Sequence, residues 1–324
     1  MRAVAIVNAH ARRLKGRLAA RLERALPGGV RLTHSLDEAR AVLREDVRRG
    51  VDLVAFAGGD GTIVMGLALL AEACRGAGKP EPCVGVLRLG SGNAIADAVG
   101  ASKDPADDLG RLAAGGGTWR AIPLIETLGV RAPFVGVGVD AQLLEDHVTV
   151  GRAIDRVPGV RRLGPGSRYV LSVGMRSIPR FALGQRPLAT VTNLGSPAAE
   201  LGPRAGGAPR PTGAPLWSGA CTLVAGATMP YFGFGLEMFA FASGLSGRFQ
   251  LRCGDPGLPE IVRNLPNTWR GKYFSERVKD FACDRVRIEL SEPVAVEAGG
   301  ELLGRERVVE LALAPPVRFA SLRV

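Results

Sequence analysis

The chain has 324 residues, length for about two domains at roughly 150 residues each. Apolar residues make up 46 %, which excludes wholesale disorder, and the 44 glycines and 22 prolines follow no Gly-x-y period, which excludes collagen. A net charge of +11 suits an anionic partner such as nucleic acid, a phosphorylated substrate or an acidic membrane face, although the excess is nearly all Arg and carries little weight alone.

The chain opens on a strand-length apolar run, Ala3–Val7. Ala11–Leu26 then spaces Leu14, Leu18, Leu22 and Leu26 four apart, the stripe of an amphipathic helix, until Pro27-Gly28-Gly29 breaks it. Val30–His34 reads as strand and Asp37–Arg49 as helix, with Ser35 as its N-cap. Leu53–Ala57 is a third strand, running straight into Gly58-Gly59-Asp60-Gly61-Thr62 and an apolar helix, Ile63–Cys74, whose Met65, Leu67, Leu69 and Leu70 are core candidates. Val84–Leu87 is a fourth strand and ends in Leu89-Gly90-Ser91-Gly92-Asn93. This alternation predicts an α/β domain built on a parallel sheet covered by helices on both faces.

Beyond about Ile122 the texture changes. Phe134–Val139, Leu188–Asn193, Cys221–Ala225, Phe249–Cys253 and Val286–Leu290 are short, apolar or alternating, and separated by Gly and Pro without helical signals between them. They predict an all-β, antiparallel sandwich or barrel. Gly195–Pro215, rich in Gly, Pro and Ala, reads as a flexible surface loop. No internal repeat is present. Domain limits of 1–122 plus about 306–324 and of 123–305 are expected.

Five scattered cysteines without a C-x-x-C pair argue against a disulfide framework or zinc site and suit a reducing cytosol. The short apolar start followed by basic residues is unlike a signal peptide, and no window of about 18 apolar residues exists, so a soluble, cytoplasmic protein is expected.

The two glycine turns carry the chemistry. Each follows a strand and opens toward a helix, where ligands bind in open parallel sheets. Glycine lets backbone N–H groups approach an anion, and the helix N-terminus adds partial positive charge. Two such turns on neighbouring strands would grip a polyphosphate from both sides. Neither is a Walker or Rossmann sequence.

Gly58-Gly59-Asp60-Gly61-Thr62 resembles the GGDGT signature of the diacylglycerol kinase catalytic domain, shared by bacterial lipid kinases, sphingosine kinases and ceramide kinases. Gly90-Ser91-Gly92-Asn93-Ala94 resembles their second glycine turn. Val7-Asn8, Leu32-Thr33, the Phe134–Ala141 segment, Met229–Gly235 and Gly299-Gly300-Glu301 extend the match in order along nearly the whole chain. The resemblance implies a Rossmann-like nucleotide domain of the NAD-kinase and diacylglycerol-kinase type, a C-terminal β domain, and a last strand that returns to the first domain. It implies transfer from ATP, with Mg²⁺, to a lipid hydroxyl of diacylglycerol or sphingoid type. Asn8 and Thr33 would flank base and ribose, and Gly58, Gly59, Asp60, Gly61, Thr62, Gly90, Ser91, Gly92 and Asn93 would hold the nucleotide. Asp60 would act through metal-bound water or in proton handling, Glu301 would join the acidic metal network, and Asp140 would face the acceptor.

Two positions depart from the family. Gly299 stands where its Asp is the usual base candidate, and Met65 where it usually has Glu. A base of this kind contributes about 10²–10⁴-fold, so either Asp60 or a neighbour such as Glu297 takes over or the chain binds nucleotide and transfers little. A kinase of a soluble acceptor such as NAD is a rival, but its later Asn-acidic dipeptide is absent. His10, His34 and His147 have no metal-ligand spacing. The basic residues Arg152, Arg156, Arg161, Arg162, Arg168, Arg176 and Arg180 would suit an anionic inner membrane face or an ordinary solvated one. Nucleic acid is not expected, because they lack interleaved aromatics. A homodimer is compatible with the sequence.

Overall fold

A computed structural model describes residues 1–11, 13–90, 93–138, 141–142, 144–145, 186–203, 205–232 and 236–322. The chain divides into two compact units. One comprises Met1–Pro133, Tyr231–Gly235 and Ala314–Val324, and the other Phe134–Pro230 and Leu236–Leu313.

The first unit runs β1 (Ala3–Asn8), α1 (Gly16–Ala25), β2 (Val30–Thr33), α2 (Leu36–Arg48), β3 (Leu53–Gly58), α3 (Asp60–Ala77), β4 (Cys83–Arg88), α4 (Ala94–Val99) and α5 (Pro105–Ala113). The strands lie in the order β2-β1-β3-β4, all parallel. On one face Ala5, Val7, Leu53, Ala55 and Ala57 pack with Leu22 of α1 and with Leu109 and Leu112 of α5. On the other, α3 crosses β3 so closely that a Cβ on Gly66 would sit 2.6 Å from the Phe56 ring. Covering both faces explains why the central strands are unbroken apolar runs. A hairpin, β5 (Thr118–Thr127) and β6 (Val130–Ala132), completes the unit's N-terminal part.

Local chemistry sets the helix starts. Ser35 Oγ accepts from Glu38 N at 3.1 Å and caps α2 as expected. Helix α1 begins at Gly16, five residues later than its leucine spacing suggested, because Ala11 and Leu14 are held in turns by the carbonyls of Asn8 and Ala11. Leu14 still packs on the core from this turn. Helix α3 begins at Asp60, so the second half of the first glycine turn is already helical. Met65 is half-buried on it, whereas Leu67, Leu69 and Leu70 are buried.

The second unit is antiparallel. Its strands are β7 (Phe134–Gly138), β8 (Leu188–Asn193), β9 (Ala199–Leu201), β10 (Pro215–Ala220), β11 (Leu223–Ala227), β12 (Phe249–Gly254), β13 (Val278–Cys283), β14 (Arg285–Ala298) and the first part of β15 (Glu301–Ser321). The order is β15-β14-β7-β11-β12-β13-β9, with β8 pairing β14 and β10 pairing β8. From Ala314 onward β15 belongs to the first unit, where Phe319 pairs in parallel with Val84 of β4.

Two expectations for this unit are corrected. A helix, Leu258–Thr268, interrupts what read as strands alone. The described residues of Gly195–Pro215 lie largely at the surface, as expected, but are tied down: Ala198 bridges Arg210, β9 pairs β13, and the buried Asn193 amide donates to the carbonyls of Ser196, Arg210 and Pro211. Its core also holds a buried ion pair, in which Asp280 accepts from Arg252 Nε at 2.8 Å and Nη2 at 2.9 Å and from Gln250 at 2.7 Å. All five cysteines are free and buried. Among the described residues no helix is long and apolar enough to cross a membrane.

Candidate functional site

Because β1 to β4 are parallel, their carboxyl ends share one edge of the sheet. Asn8 is the register partner of Thr33, and Gly58 that of Arg88, so the strands end there in the order Thr33, Asn8, Gly58, Arg88. Asn8 Nδ2 donates to Thr62 Oγ1 at 3.1 Å and its Oδ1 accepts from His10 N at 2.9 Å. Thr33 is buried, its hydroxyl turned toward the Val7 carbonyl. The His10 and His34 rings meet edge to face, 6.1 Å between centroids. They are brought together although far apart in sequence.

The first glycine turn leads directly into the 18-residue α3. Its first intrahelical bond runs from Ile63 N to Gly59 O, so the N–H groups of Asp60, Gly61 and Thr62 precede the first helical donor and have no acceptor within the helix. Glycine is required at 58 by packing: a Cβ there would lie 2.4 Å from the Thr62 side chain. The turn is therefore a donor array at a long helix N-terminus.

Asp60 does not point along that array. Its carboxylate is buried and accepts from Ala94 N at 2.9 Å and from Ile95 N at 3.0 Å, the opening N–H groups of α4. Burial pushes its carboxyl above the ordinary Asp value, against the pull of these two donors. The acid in the first glycine turn thus holds the helix that follows the second. A backbone bond, Leu89 N to Gly58 O at 3.0 Å, joins the same two turns. Asn93 Nδ2 closes the second turn on the Gly90 carbonyl at 3.0 Å. Ser91 and Gly92 lie outside the described residues.

Sequence reasoning missed Arg88. It ends β4 immediately before the second turn, donates to Asp97 Oδ1 and the Ala101 carbonyl, and lowers the cost of the Asp60 charge. A basic side chain directly before a glycine turn was the available signal. Arg13 and Lys15, both exposed, occupy the loop after β1.

In the second unit, β14 and β15 meet at Gly299-Gly300. Gly299 has φ +58° and Gly300 φ +86°, and Gly299 N donates to the Phe134 carbonyl. Glu301 is exposed at the start of β15. The buried carboxylate of this hairpin is Glu297, 2 % exposed, which accepts from Gly300 N at 2.9 Å and pairs across β7 with Gly136. Asp140, His147 and the basic run from Arg152 to Arg180 lie outside the described residues. Among the described residues no group of three or more His, Cys, Asp or Glu side chains is placed to hold a metal ion.

Residues 2–124 match the diacylglycerol kinase catalytic domain. The family resemblance carried by the motifs is borne out over this region. A solved diacylglycerol kinase from Bacillus anthracis str. Sterne superposes with a TM-score of 0.64 at 14 % identity, covering 99 % of this chain and 96 % of that one. A candidate diacylglycerol kinase from the same organism gives 0.68 at 15 % identity, covering 99 % and 95 %. At such identity the likeness shows the fold, an α/β domain followed by antiparallel strands. No curated protein matches the chain. The domain match supports a kinase of the lipid-kinase-like type.

Proposed function

We propose that the chain transfers the terminal phosphoryl group of ATP to a hydroxyl of a lipid acceptor, of diacylglycerol or sphingoid type, at the cytoplasmic membrane face. The observation that carries this reading is the open N-terminus of α3 at the carboxyl edge of the parallel sheet, tied to the second glycine turn by Asp60. Backbone donors fixed before the nucleotide arrives stabilise the charge that spreads over phosphate oxygens without reorganising during the reaction. Asn8 fixes Thr62 at the mouth of this array, and Arg88 adds positive charge beside it.

The described side chains do not fit a resident magnesium site. Both Asp60 oxygens accept backbone donors, and Glu301 stands exposed and outside any acidic group. A magnesium ion would then arrive with the nucleotide, held mainly by its phosphates and water. Asp60 is then a positioning residue. Both carboxylates of the Gly299 hairpin are candidates to take a proton: Glu297 is buried, and partial desolvation raises the Glu301 carboxyl above the ordinary Glu value although its side chain reaches solvent.

A second reading, a nucleotide-binding relative with little transfer, is favoured by Gly299 and Met65 in place of family acids and by the engagement of Asp60. ATP consumption by purified protein with diacylglycerol, a sphingoid base or NAD, each with Mg²⁺, separates the two. Lipid-dependent turnover supports the kinase. Background turnover with all three acceptors, while ATP still raises the melting temperature, supports the second reading. NAD-dependent turnover would assign a soluble acceptor.

A further inference from the structure

We infer that the helix Leu258–Thr268, with the segment that follows it, is an interfacial device that lays this protein on an anionic lipid surface. It deepens the lipid reading above, on which it rests for its purpose.

The helix is amphipathic but inverted. Val262 is 60 % exposed, Leu265 42 % and Trp269 47 %, and none of its described side chains is buried. Positions 262, 265 and 269 recur at the spacing that puts three side chains on one helical stripe. Its polar side is the one tied to the protein: Glu260 Oε1 accepts from the Tyr273 hydroxyl at 2.9 Å. Tyr273 is itself buried, its carbonyl accepting from Arg252 of the buried Arg252–Asp280 pair. Burial and the neighbouring Glu260 carboxylate push the Tyr273 hydroxyl up to about 12, so it remains a donor throughout the physiological range. The helix is thereby anchored through its polar edge with its apolar stripe held outward. A helix added to a core would be oriented the other way.

Phe274, 43 % exposed, continues the apolar surface and packs on Phe241, 5.8 Å between ring centroids. Other large exposed apolar side chains, such as Leu32, Trp119 and Leu188, are spread singly over the chain, whereas these four fall within thirteen residues. The occupant is indicated by charge. Arg263, Arg270, Lys272 and Arg277 are all exposed in the same stretch. A tryptophan among aliphatic side chains with flanking basic residues is the composition of an interfacial helix, its apolar face in the acyl boundary and its cations among anionic headgroups.

The test is sedimentation of the full chain with phosphatidylcholine vesicles, with and without about one-third phosphatidylglycerol. The protein should bind the anionic vesicles more tightly, and less so in high salt. Val262→Ser, Leu265→Ser and Trp269→Ser together should lower binding by about tenfold or more. Arg263→Gln with Arg270→Gln should lower it by about fivefold per charge, on anionic vesicles only. Should the triple variant misfold, Trp269→Phe gives an independent reading: it should keep binding but lose the lipid-induced blue shift of tryptophan emission. Vesicle binding unchanged in the triple variant, or absent in the unaltered protein, overturns the inference. So does a concentration-dependent dimer that the triple variant dissociates, because a second copy would then cover the stripe. Turnover on a short-chain, water-soluble acceptor tests the kinase reading separately, and the triple variant should match the unaltered protein there. Vesicle binding through the stripe without turnover would sink the kinase reading and leave the docking surface standing.

Discussion

Replacing Asp60 with alanine tests whether this acid is chemical or architectural. In the structure its two carboxylate oxygens satisfy the N–H groups of Ala94 and Ile95, both buried residues. Each donor left buried without an acceptor costs about 1–3 kcal/mol. Some of that is offset because the carboxylate is itself buried at a cost, as its raised pKa records. A net loss of about 2 kcal/mol follows, within the range for removing a helix cap. For a domain of this size that lowers the melting temperature by about 4–8 °C. Asp60→Asn keeps one acceptor but sets its amide donor against a backbone N–H, so it should lose less than alanine but more than nothing. Thermal unfolding of both variants, with hydrogen exchange at Ala94 and Ile95, reads this directly. ATP-induced stabilisation should weaken in step with exchange at α4. An Asp60→Ala protein that melts like the unaltered one, with unchanged exchange, would refute the capping role. Turnover lost in Asp60→Asn with stability and ATP binding intact would return the residue to proton handling.

Other perturbations address other links. Gly58→Ala puts a Cβ 2.4 Å from the Thr62 side chain. The variant should lose ATP-induced stabilisation in a thermal-shift assay, and retained affinity would mean the turn can relax. Asn193→Ala removes an amide that donates to three loop carbonyls, and should cost about 2–4 kcal/mol in denaturant unfolding, with earlier proteolysis between Gly195 and Pro215. Asp104 caps α5 and pairs with Arg21, and that guanidinium, followed by the Asp107 N–H, holds its carboxyl below the usual Asp value. A depressed folded value gives stability that is complete above the unfolded value near about 3.9 and is lost as pH falls through the folded one. The melting difference between the unaltered protein and Asp104→Asn should therefore shrink on acidification through that window, and a difference constant with pH would contradict the pairing. Gly299→Asp restores the family's carboxylate at φ +58°, a conformation that Asp tolerates at a cost of about 1 kcal/mol. Turnover should rise if a base is missing and stay level if Glu297 already serves.

The parallel half was legible because its physics is local in sequence. Strands covered on both faces are continuous apolar runs, and the glycine turns punctuate them at the edge where ligands bind. The antiparallel half was less so. Residues 285–290 of β14 alternate, and this part was read correctly, but register shifts after Glu289 and Val296 break the alternation. The fully buried run 294–298 that follows, Glu297 included, shows no period of two. The helix Leu258–Thr268 carries Pro259 and Pro266 and turns its apolar stripe outward, so neither breaker rules nor a core-facing pattern marked it. Gly195–Pro215 has the composition of a loose loop, and what ties its described residues down lies largely outside it in sequence: the Asn193 amide just upstream, Asp284 on Ser196, and the pairing of β9 with β13. Glu301 and Glu297 are equally acidic on paper, and only the fold of their hairpin separates the exposed one from the buried one.

Asp60 shows the same limit at the site. An acid in the first turn of a phosphate-binding helix is unfavourable if its charge faces the phosphate, since it cancels the partial positive charge that recruits the anion. Its motif context therefore suggests a metal or a proton as the charge's partner. The structure supplies a different partner 34 residues away, the N-terminus of α4. At six residues, α4 is too short to hold itself together, because helix nucleation makes segments under about 12 residues marginal in water. The charge that would weaken the first turn is spent on stabilising the helix behind the second. With Leu89 N on Gly58 O and Asp60 on the N–H groups of Ala94 and Ile95, the first turn is tied to the described residues on either side of the second. Disturbing either should be felt at both.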